Sequence, residues 1–414
     1  MDQIIGLSGL IAIFLLAFWR NLNMGAVALA IAYLFGVFYF DLDAKAISDG
    51  FPGNLVITLL GVTYIFGIGR VNGTVDQIVR TMVRSVRGRV VLIPWVFFLL
   101  GAAISASGAL TIAAYGILVP IGMSLAQKHK INPLLMGLSI INGTNAGGFS
   151  PVAVYYTIIE GTLRQWGFAA APIPVFIWTF IGSLVVNLIA FFIFDGLKLL
   201  KRSPTQAGND EAIVADPEWT RVQYMTVIVL LAVVVGALVF DLDVGFLAMI
   251  GAVFMAAFRP DDAKAGLQQI GWGVILLIGG IVTYVNMLDS TGTITDLAHQ
   301  VAGVGTPMVA ALLLLYIAAI VSAFASTNAM FVVLVPLAVP LLQGGEIGVL
   351  GFTIALGLSA VVVDTSPFST AGALVVANTD EHRSDRVFKG LLWWACAMMV
   401  LAPPATWAAF VWLM

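Results

Sequence analysis

Four short clusters hold most of the polar chemistry of an otherwise apolar chain. They read Ser105-Ala106-Ser107-Gly108, Asn142-Gly143-Thr144-Asn145-Ala146-Gly147-Gly148-Phe149-Ser150-Pro151, Ser326-Thr327-Asn328 and Asp364-Thr365-Ser366-Pro367-Phe368-Ser369-Thr370. Hydroxyls, amides and backbone N–H groups freed at helix N-termini bind small anions, while carbonyls freed at helix C-termini bind Na⁺. The candidate anion ligands are Ser105, Ser107, Asn142, Thr144, Asn145, Ser150, Ser326, Thr327, Asn328, Ser366, Ser369 and Thr370. Asp364 and Thr365, with the backbone at Gly143 and Gly147, are candidates for a cation, either Na⁺ or a proton. Asp364 is the one carboxylate placed deep in apolar sequence, where burying a lone charge costs at least ~2.5–3.5 kcal/mol. Two plainer readings compete. Ser and Thr in apolar helices bond back to their own backbone, and an aspartate at a helix break caps freed N–H groups.

The elements around these clusters are membrane helices. Of 414 residues, 60% are hydrophobic and 10% charged, against the ~25% charged expected of a soluble domain. A net charge of −3 gives no basic face for nucleic acid, and one cysteine, Cys396, excludes disulfides and Cys-based metal sites. The three histidines, His129, His299 and His382, fall in polar connections. An intramembrane enzyme is disfavoured: there is no Ser/His pair, no second membrane aspartate and no HExxH. Spans of about 20 apolar residues are expected near 4–19, 24–40, 54–70, 172–197, 222–240, 243–258, 272–288 and 388–412. The first lacks a basic leader and a small-residue cleavage site, so it reads as a retained span rather than a signal peptide.

Residues 90–126 and 307–342 are each too long for one span and carry a polar break midway, which fits re-entrant hairpins. Residues 133–163 and 346–377 carry Gly and Pro inside apolar sequence, which fits discontinuous spanning helices. With the N-terminus outside, 17 of 19 Lys and Arg fall on the inner side, leaving Lys45 and Arg164 outside. Arg80, Arg84, Arg87 and Arg89 suit an amphipathic helix at anionic headgroups.

The chain also repeats itself. Asp43-Ala44-Lys45-Ala46 recurs as Asp262-Ala263-Lys264-Ala265, Val62-Thr63-Tyr64 as Val282-Thr283-Tyr284, and Ser150-Pro151 as Ser366-Pro367. The predicted fold class is an all-α polytopic membrane protein of two inverted repeats. Each repeat has five spanning helices, one of them broken, and one re-entrant hairpin, giving about 10 spans and 2 hairpins. The first repeat covers 1–197, a cytoplasmic linker 198–221, and the second repeat 222–414; both termini are expected outside. Paired broken helices in inverted repeats mark secondary transporters, with the site near mid-membrane. With no Lys, Arg or His in the four clusters, a co-transported cation would supply the charge that an anionic cargo needs.

The hairpin followed by a broken helix, twice over, resembles the ion transporter superfamily that includes the divalent anion/sodium symporters. Gly148-Phe149-Ser150-Pro151-Val152 and Asp364-Thr365-Ser366-Pro367-Phe368-Ser369-Thr370-Ala371-Gly372-Ala373-Leu374 look like bacterial malonate/dicarboxylate carriers of the MatC type. The resemblance implies a homodimer in the bacterial cytoplasmic membrane, working as an elevator, with a small dicarboxylate as cargo and Na⁺ or H⁺ as driver. No other cofactor is expected. The symporters carry Ser-Asn-Thr at both hairpin tips. Here the second tip is permuted to Ser326-Thr327-Asn328, and the first, Ser105-Ala106-Ser107, lacks asparagine. A cation/proton antiporter or an inorganic or sulfonate oxyanion transporter of the same superfamily is the alternative, with a channel further behind.

Overall fold

The computed structural model describes residues 2–20, 22–85, 89–169, 171–200, 218–240, 242–291, 306–324 and 327–413. Every regular element among them is helical. The first half runs α1 (Asp2–Arg20), α2 (Met24–Phe38), α3 (Ala44–Asp49), α4 (Gly53–Val71), α5 (Thr74–Ser85), α6 (Ile93–Ala106), α7 (Thr111–Lys128), α8 (Pro133–Gly147), α9 (Val154–Gln165), α10 (Pro172–Ile193) and the short α11 (Gly196–Leu200). The second half runs α12 (Arg221–Val239), α13 (Val244–Phe258), α14 (Pro260–Leu267), α15 (Trp272–Ser290), α16 (Pro307–Phe324), α17 (Thr327–Gln343), α18 (Val349–Val361), α19 (Thr370–Ala377) and α20 (Glu381–Thr406). A π-helical turn, Trp407–Trp412, closes α20.

Six helical segments among the described residues are long and apolar enough to cross a membrane, and shorter apolar helices stand at the expected spans 24–40, 222–240 and 243–258. Burial runs opposite to that of a water-soluble protein. Helix α10 exposes Ile173, Ile177, Ile181, Val185 and Leu188, and α13 exposes Phe246, Ile250 and Val253. Apolar surface on this scale is a lipid-facing belt. Cys396 is likewise exposed, on α20.

Inside this belt, α8 and α18 are enclosed: every residue from Leu134 to Gly147, and from Gly351 to Val361, is buried. At 1.5 Å per residue, each reaches only about 20 Å, short of the ~30 Å hydrocarbon core. They end inside the protein, where the chain breaks.

The two halves interlock. Helix α2 packs on α15, and α13 packs on α4. Both contacts are backbone to backbone. A Cβ on Gly25 would sit 1.9 Å from Leu276 O, and one on Gly280 would sit 1.9 Å from Gly25 O. In the other pair, a Cβ on Gly61 would sit 2.3 Å from Gly245 O. Only glycine permits helices to approach this closely.

Some boundaries differ from expectation. The span read as 172–197 ends at Ile193, because Asp195 turns the chain with a φ of 65° before α11 begins. The last helix starts at Glu381 rather than 388, so its charged first turns project beyond the apolar segment, and His382 is helical. The arginine-bearing helix α5 includes Arg80 and Arg84 but stops at Ser85; Arg87 lies outside the described residues and Arg89 precedes α6. The short helices α3, α11 and α14 were not anticipated as separate elements. Residues 201–217 of the linker, most of loop 289–306 and Ser326 also lie outside the described residues.

Candidate functional site

The first helix pair turns where polar residues interrupt it. Between α6 and α7 the turn uses Gly108 at φ 98°. Residues 325–326, which join α16 to α17, lie outside the described set. The broken helices part at 148–153 between α8 and α9, and at 362–369 between α18 and α19. The halves then cross: α7 packs on α19, and α17 packs on α9. Each hairpin's second arm therefore lies against the second arm of the other half's broken helix.

At this crossing, Asn145 at the end of α8 meets Asp364 in the second break. Asn145 Nδ2 donates to Val361 O at 3.0 Å and approaches Asp364 Oδ2 at 3.4 Å. Its Oδ1 accepts from Tyr115 Oη at 2.7 Å and Tyr155 Oη at 3.2 Å. Tyr115 also stands 3.3 Å from Asp364 Oδ2, and Tyr155 stands 3.3 Å from Thr111 Oγ1. The hydroxyls of Thr327 and Ser369 face the same carboxyl. Thr327 shares a 3.0 Å hydrogen bond with Ser322 of α16. Phe149, Tyr155 and Phe331 pack ring against ring, with centroids 5.4–5.9 Å apart. Asp364 is 6% exposed, and its hydrogen-bonding neighbours are all neutral. Such a carboxyl is discharged either by a cation or by a proton.

The polar residues singled out in the sequence take different places. Asn145 is saturated, with two bonds given and two received, so it clamps the two breaks to each other. Several others are satisfied locally. Ser107 bonds Ile104 O, Thr365 bonds Val362 O, and Ser369 bonds the carbonyls of Asp364 and Ser366 while capping α19 at Gly372 N. Ser366 Oγ accepts from Phe368 N. Ser150 Oγ donates to Ala106 O at 2.6 Å, tying the first break to the first hairpin tip. Thr370, the first residue of α19, is exposed.

Four of the residues singled out in the sequence keep buried polar atoms without a hydrogen-bond partner: Ser105 Oγ, Asn142 Nδ2, Thr144 Oγ1 and Asn328 Oδ1. Thr144 lies against Gly101, where a Cβ would come within 2.6 Å of its hydroxyl, and Ser105 follows one turn further along α6. Asn328 is next to Thr327, at the start of α17.

Gly143 and Gly147 have a packing role. Cβ atoms on them would lie 2.0 Å from Phe98 O and 2.1 Å from Ala102 O, so α6 and α8 touch backbone to backbone. Tyr115, Tyr155, Thr111 and Ser322 went unnoticed in the sequence. None belongs to a polar cluster in the sequence, and the crossing is what gathers them around Asn145, Asp364 and Thr327.

A cavity of about 880 Å³ opens at one end of the molecule and reaches Pro151 of the first break. Asp49, Asn54, Glu160, Arg164 and Asn286 line it. Arg164 and Glu160 pair across its wall at 2.7 Å.

The fold and the crossing define a helical membrane protein, and its fold is shared with solved structures. The chain superposes on MtrF from Neisseria gonorrhoeae, whose structure is described as illuminating a class of antimetabolite efflux pumps. The TM-score is 0.63 at 14% identity, over 89% of this chain and 83% of that one. It superposes on the YdaH transporter of Alcanivorax borkumensis with a TM-score of 0.61 at 14% identity, over 90% and 88% of the two chains.

In sequence, residues 1–148 match the family model for the N-terminus of the dicarboxylate carrier protein MatC. The resemblance read from the helix breaks is thus found independently in the region that ends at the first of them. Magnetosome protein MamN of Paramagnetospirillum magneticum is 24% identical over 314 residues, which is 70% of this chain and 67% of that protein.

Proposed function

We propose that this protein is a secondary active transporter that carries a small dicarboxylate, such as malonate or a C4 acid, in exchange for the free energy of a Na⁺ or H⁺ gradient. The observation that carries the reading is the crossing itself. Two helix breaks meet at a buried carboxyl, with unpartnered Ser105, Thr144 and Asn328 around them and no Lys, Arg or His in the four clusters. The Ser105 and Thr144 hydroxyls are neutral donors that orient an anion, and a cation at Asp364, near the unpartnered amide oxygen of Asn328, offsets its charge. At an effective ε of ~20, two unit charges 4 Å apart interact by about 4 kcal/mol, enough to make anion binding depend on the cation. Linkage requires the dependence to be mutual.

The match to the MatC N-terminal model supports the dicarboxylate, and the shared fold supports transport. The recurring element order, the paired glycine contacts and the 17-to-2 cation split support inverted repeats, both termini outside and residence in the bacterial cytoplasmic membrane. In that orientation the 880 Å³ cavity faces outward. The elevator motion and the homodimer come from the family resemblance.

The test is uptake of labelled malonate and succinate into proteoliposomes, with Na⁺, K⁺ or a pH difference imposed in turn. Saturable uptake that follows one cation gradient is expected. Transport of a monovalent cation alone, indifferent to every dicarboxylate, would favour the antiporter reading.

A further inference from the structure

Helices α8 and α10 carry a second set of buried polar groups, apart from the crossing. Ser139 is 0% exposed, Asn142 2%, Ser183 2% and Asn187 1%. Ser139 Oγ, Asn142 Nδ2, Ser183 Oγ and both polar atoms of the Asn187 amide reach no hydrogen-bond partner on the protein. This is unusual for the hydroxyls. Serine and threonine inside apolar helices normally bond back to their own carbonyls, as Thr157, Thr162 and Thr179 do here at 2.8–2.9 Å. Ser139 and Ser183 do not, so their hydroxyls are turned away from their own helices.

Helix phase and register place these groups opposite one another. Around α8, Gly143 and Gly147 face α6, Gly137 faces Val375 of α19, and Asn145 faces Asp364. At 100° per residue, Ser139 and Asn142 fall on the remaining side, which α10 covers. Around α10, Phe180 faces Phe98 of α6 and Gly182 faces Leu358 of α18, so Ser183 and Asn187 point between them, toward α8. The bond from Asn132 to Asp195, 3.3 Å long, pins the start of α8 to the end of α10. Running antiparallel from there, Ser139 is level with Asn187 and Asn142 with Ser183.

We propose that the α8–α10 seam is a binding site for a short file of water molecules, leading from the Asn132–Asp195 end toward the first helix break. The chemistry fits water better than any other occupant. The seam offers hydroxyls that give or accept and an amide that does both, with no fixed charge among them. Polar groups facing each other beyond hydrogen-bond reach are bridged by water, and a buried water makes two to four hydrogen bonds. Left dry, each such group would bear its full desolvation penalty with nothing to offset it. The file would wet the inner wall of α8 up to the turn that carries Asn145, giving water and small cations a route distinct from the 880 Å³ cavity. The site does not depend on what the protein carries.

Two experiments on the full chain decide this. The first is a high-resolution structure of the unmodified protein. Density within hydrogen-bond distance of Asn187 Oδ1 or Nδ2 and of Ser139 Oγ is expected. Direct Ser139–Asn187 and Asn142–Ser183 bonds, with no density between them, would overturn the proposal. The second uses Cys396→Ser protein bearing Ser139→Cys or Ser183→Cys, both near-isosteric changes. Ag⁺, which is small and thiol-reactive, should modify both cysteines at least ten times faster than a cysteine at the lipid-facing Ile189. Equal rates at all three positions, in variants with the parent's melting behaviour, would show a dry seam.

Discussion

Asn142 and Asn145 stand three residues apart in the same enclosed helix, and the structure gives them opposite energetic roles. Asn145 makes four hydrogen bonds, to Tyr115, Tyr155, Val361 O and Asp364. Side-chain hydrogen bonds inside membrane proteins average about 0.6 kcal/mol, so four give roughly 2.4 kcal/mol. The orphaned partners lead to a similar figure: each buried group left unpaired costs about 1–3 kcal/mol, and the two phenols can partly re-pair with Asp364 and Thr111. Asn145→Ala should therefore destabilise by about 2–4 kcal/mol. Asn142 Nδ2 has no protein partner to lose, so Asn142→Ala should cost about 1 kcal/mol or less. Tyr115→Phe alone should cost about 1 kcal/mol. Combined with Asn145→Ala it should add less than its own effect, because both remove the same bond. Equilibrium unfolding in mixed micelles, titrated with a denaturing detergent, measures all four variants. If Asn142→Ala proves as damaging as Asn145→Ala, or if the double variant is strictly additive, Asn145 is not the clamp between the breaks.

Gly25→Leu and Gly280→Leu should each abolish folded expression in a fluorescence size-exclusion assay, whereas Gly116→Ala, with open space around it, should leave the profile unchanged. Ser105→Ala should weaken dicarboxylate-induced thermal stabilisation several-fold while leaving the ligand-free melting point within about 2 °C of the parent. With Cys396 replaced, cysteines at Asn54 and at Lys128 should react with impermeant reagents from opposite faces of the membrane; reaction of both from one face would undo the inverted arrangement. The hydrogen bond from Lys198 holds the Asp195 carboxyl below the usual carboxylate range, so this pair stabilises above the unfolded value near pH 4 and loses that contribution as pH falls through the folded value. Both partners are about half exposed or more, so at pH 7 and 0.15 M salt Asp195→Asn should move the unfolding free energy by less than about 0.5 kcal/mol.

The sequence alone determined where the chain crosses and where it breaks, because both are local matters. A bilayer demands a certain length of apolar helix, and Gly and Pro interrupt it wherever they fall. Hence 133–163 and 346–377 were legible as broken helices, and 90–126 and 307–342 as helix pairs. The pairing of polar groups was not legible. An amphipathic helix announces its inner face, but α8 is buried on every side, so its residues carry no sign of which neighbour each will meet. Asn142 and Asn145, about 60° apart around the helix, looked equivalent until α10 and the second break took adjoining sectors of it. Gly143 and Gly147 looked like freed backbone until α6 came within touching distance. Tyr115 lies 249 residues from Asp364, and Asn145 lies 219 residues from it. Only the crossing of the two halves brings those three side chains within reach, because helix phase and docking angle are set by packing against neighbours that the local sequence does not specify.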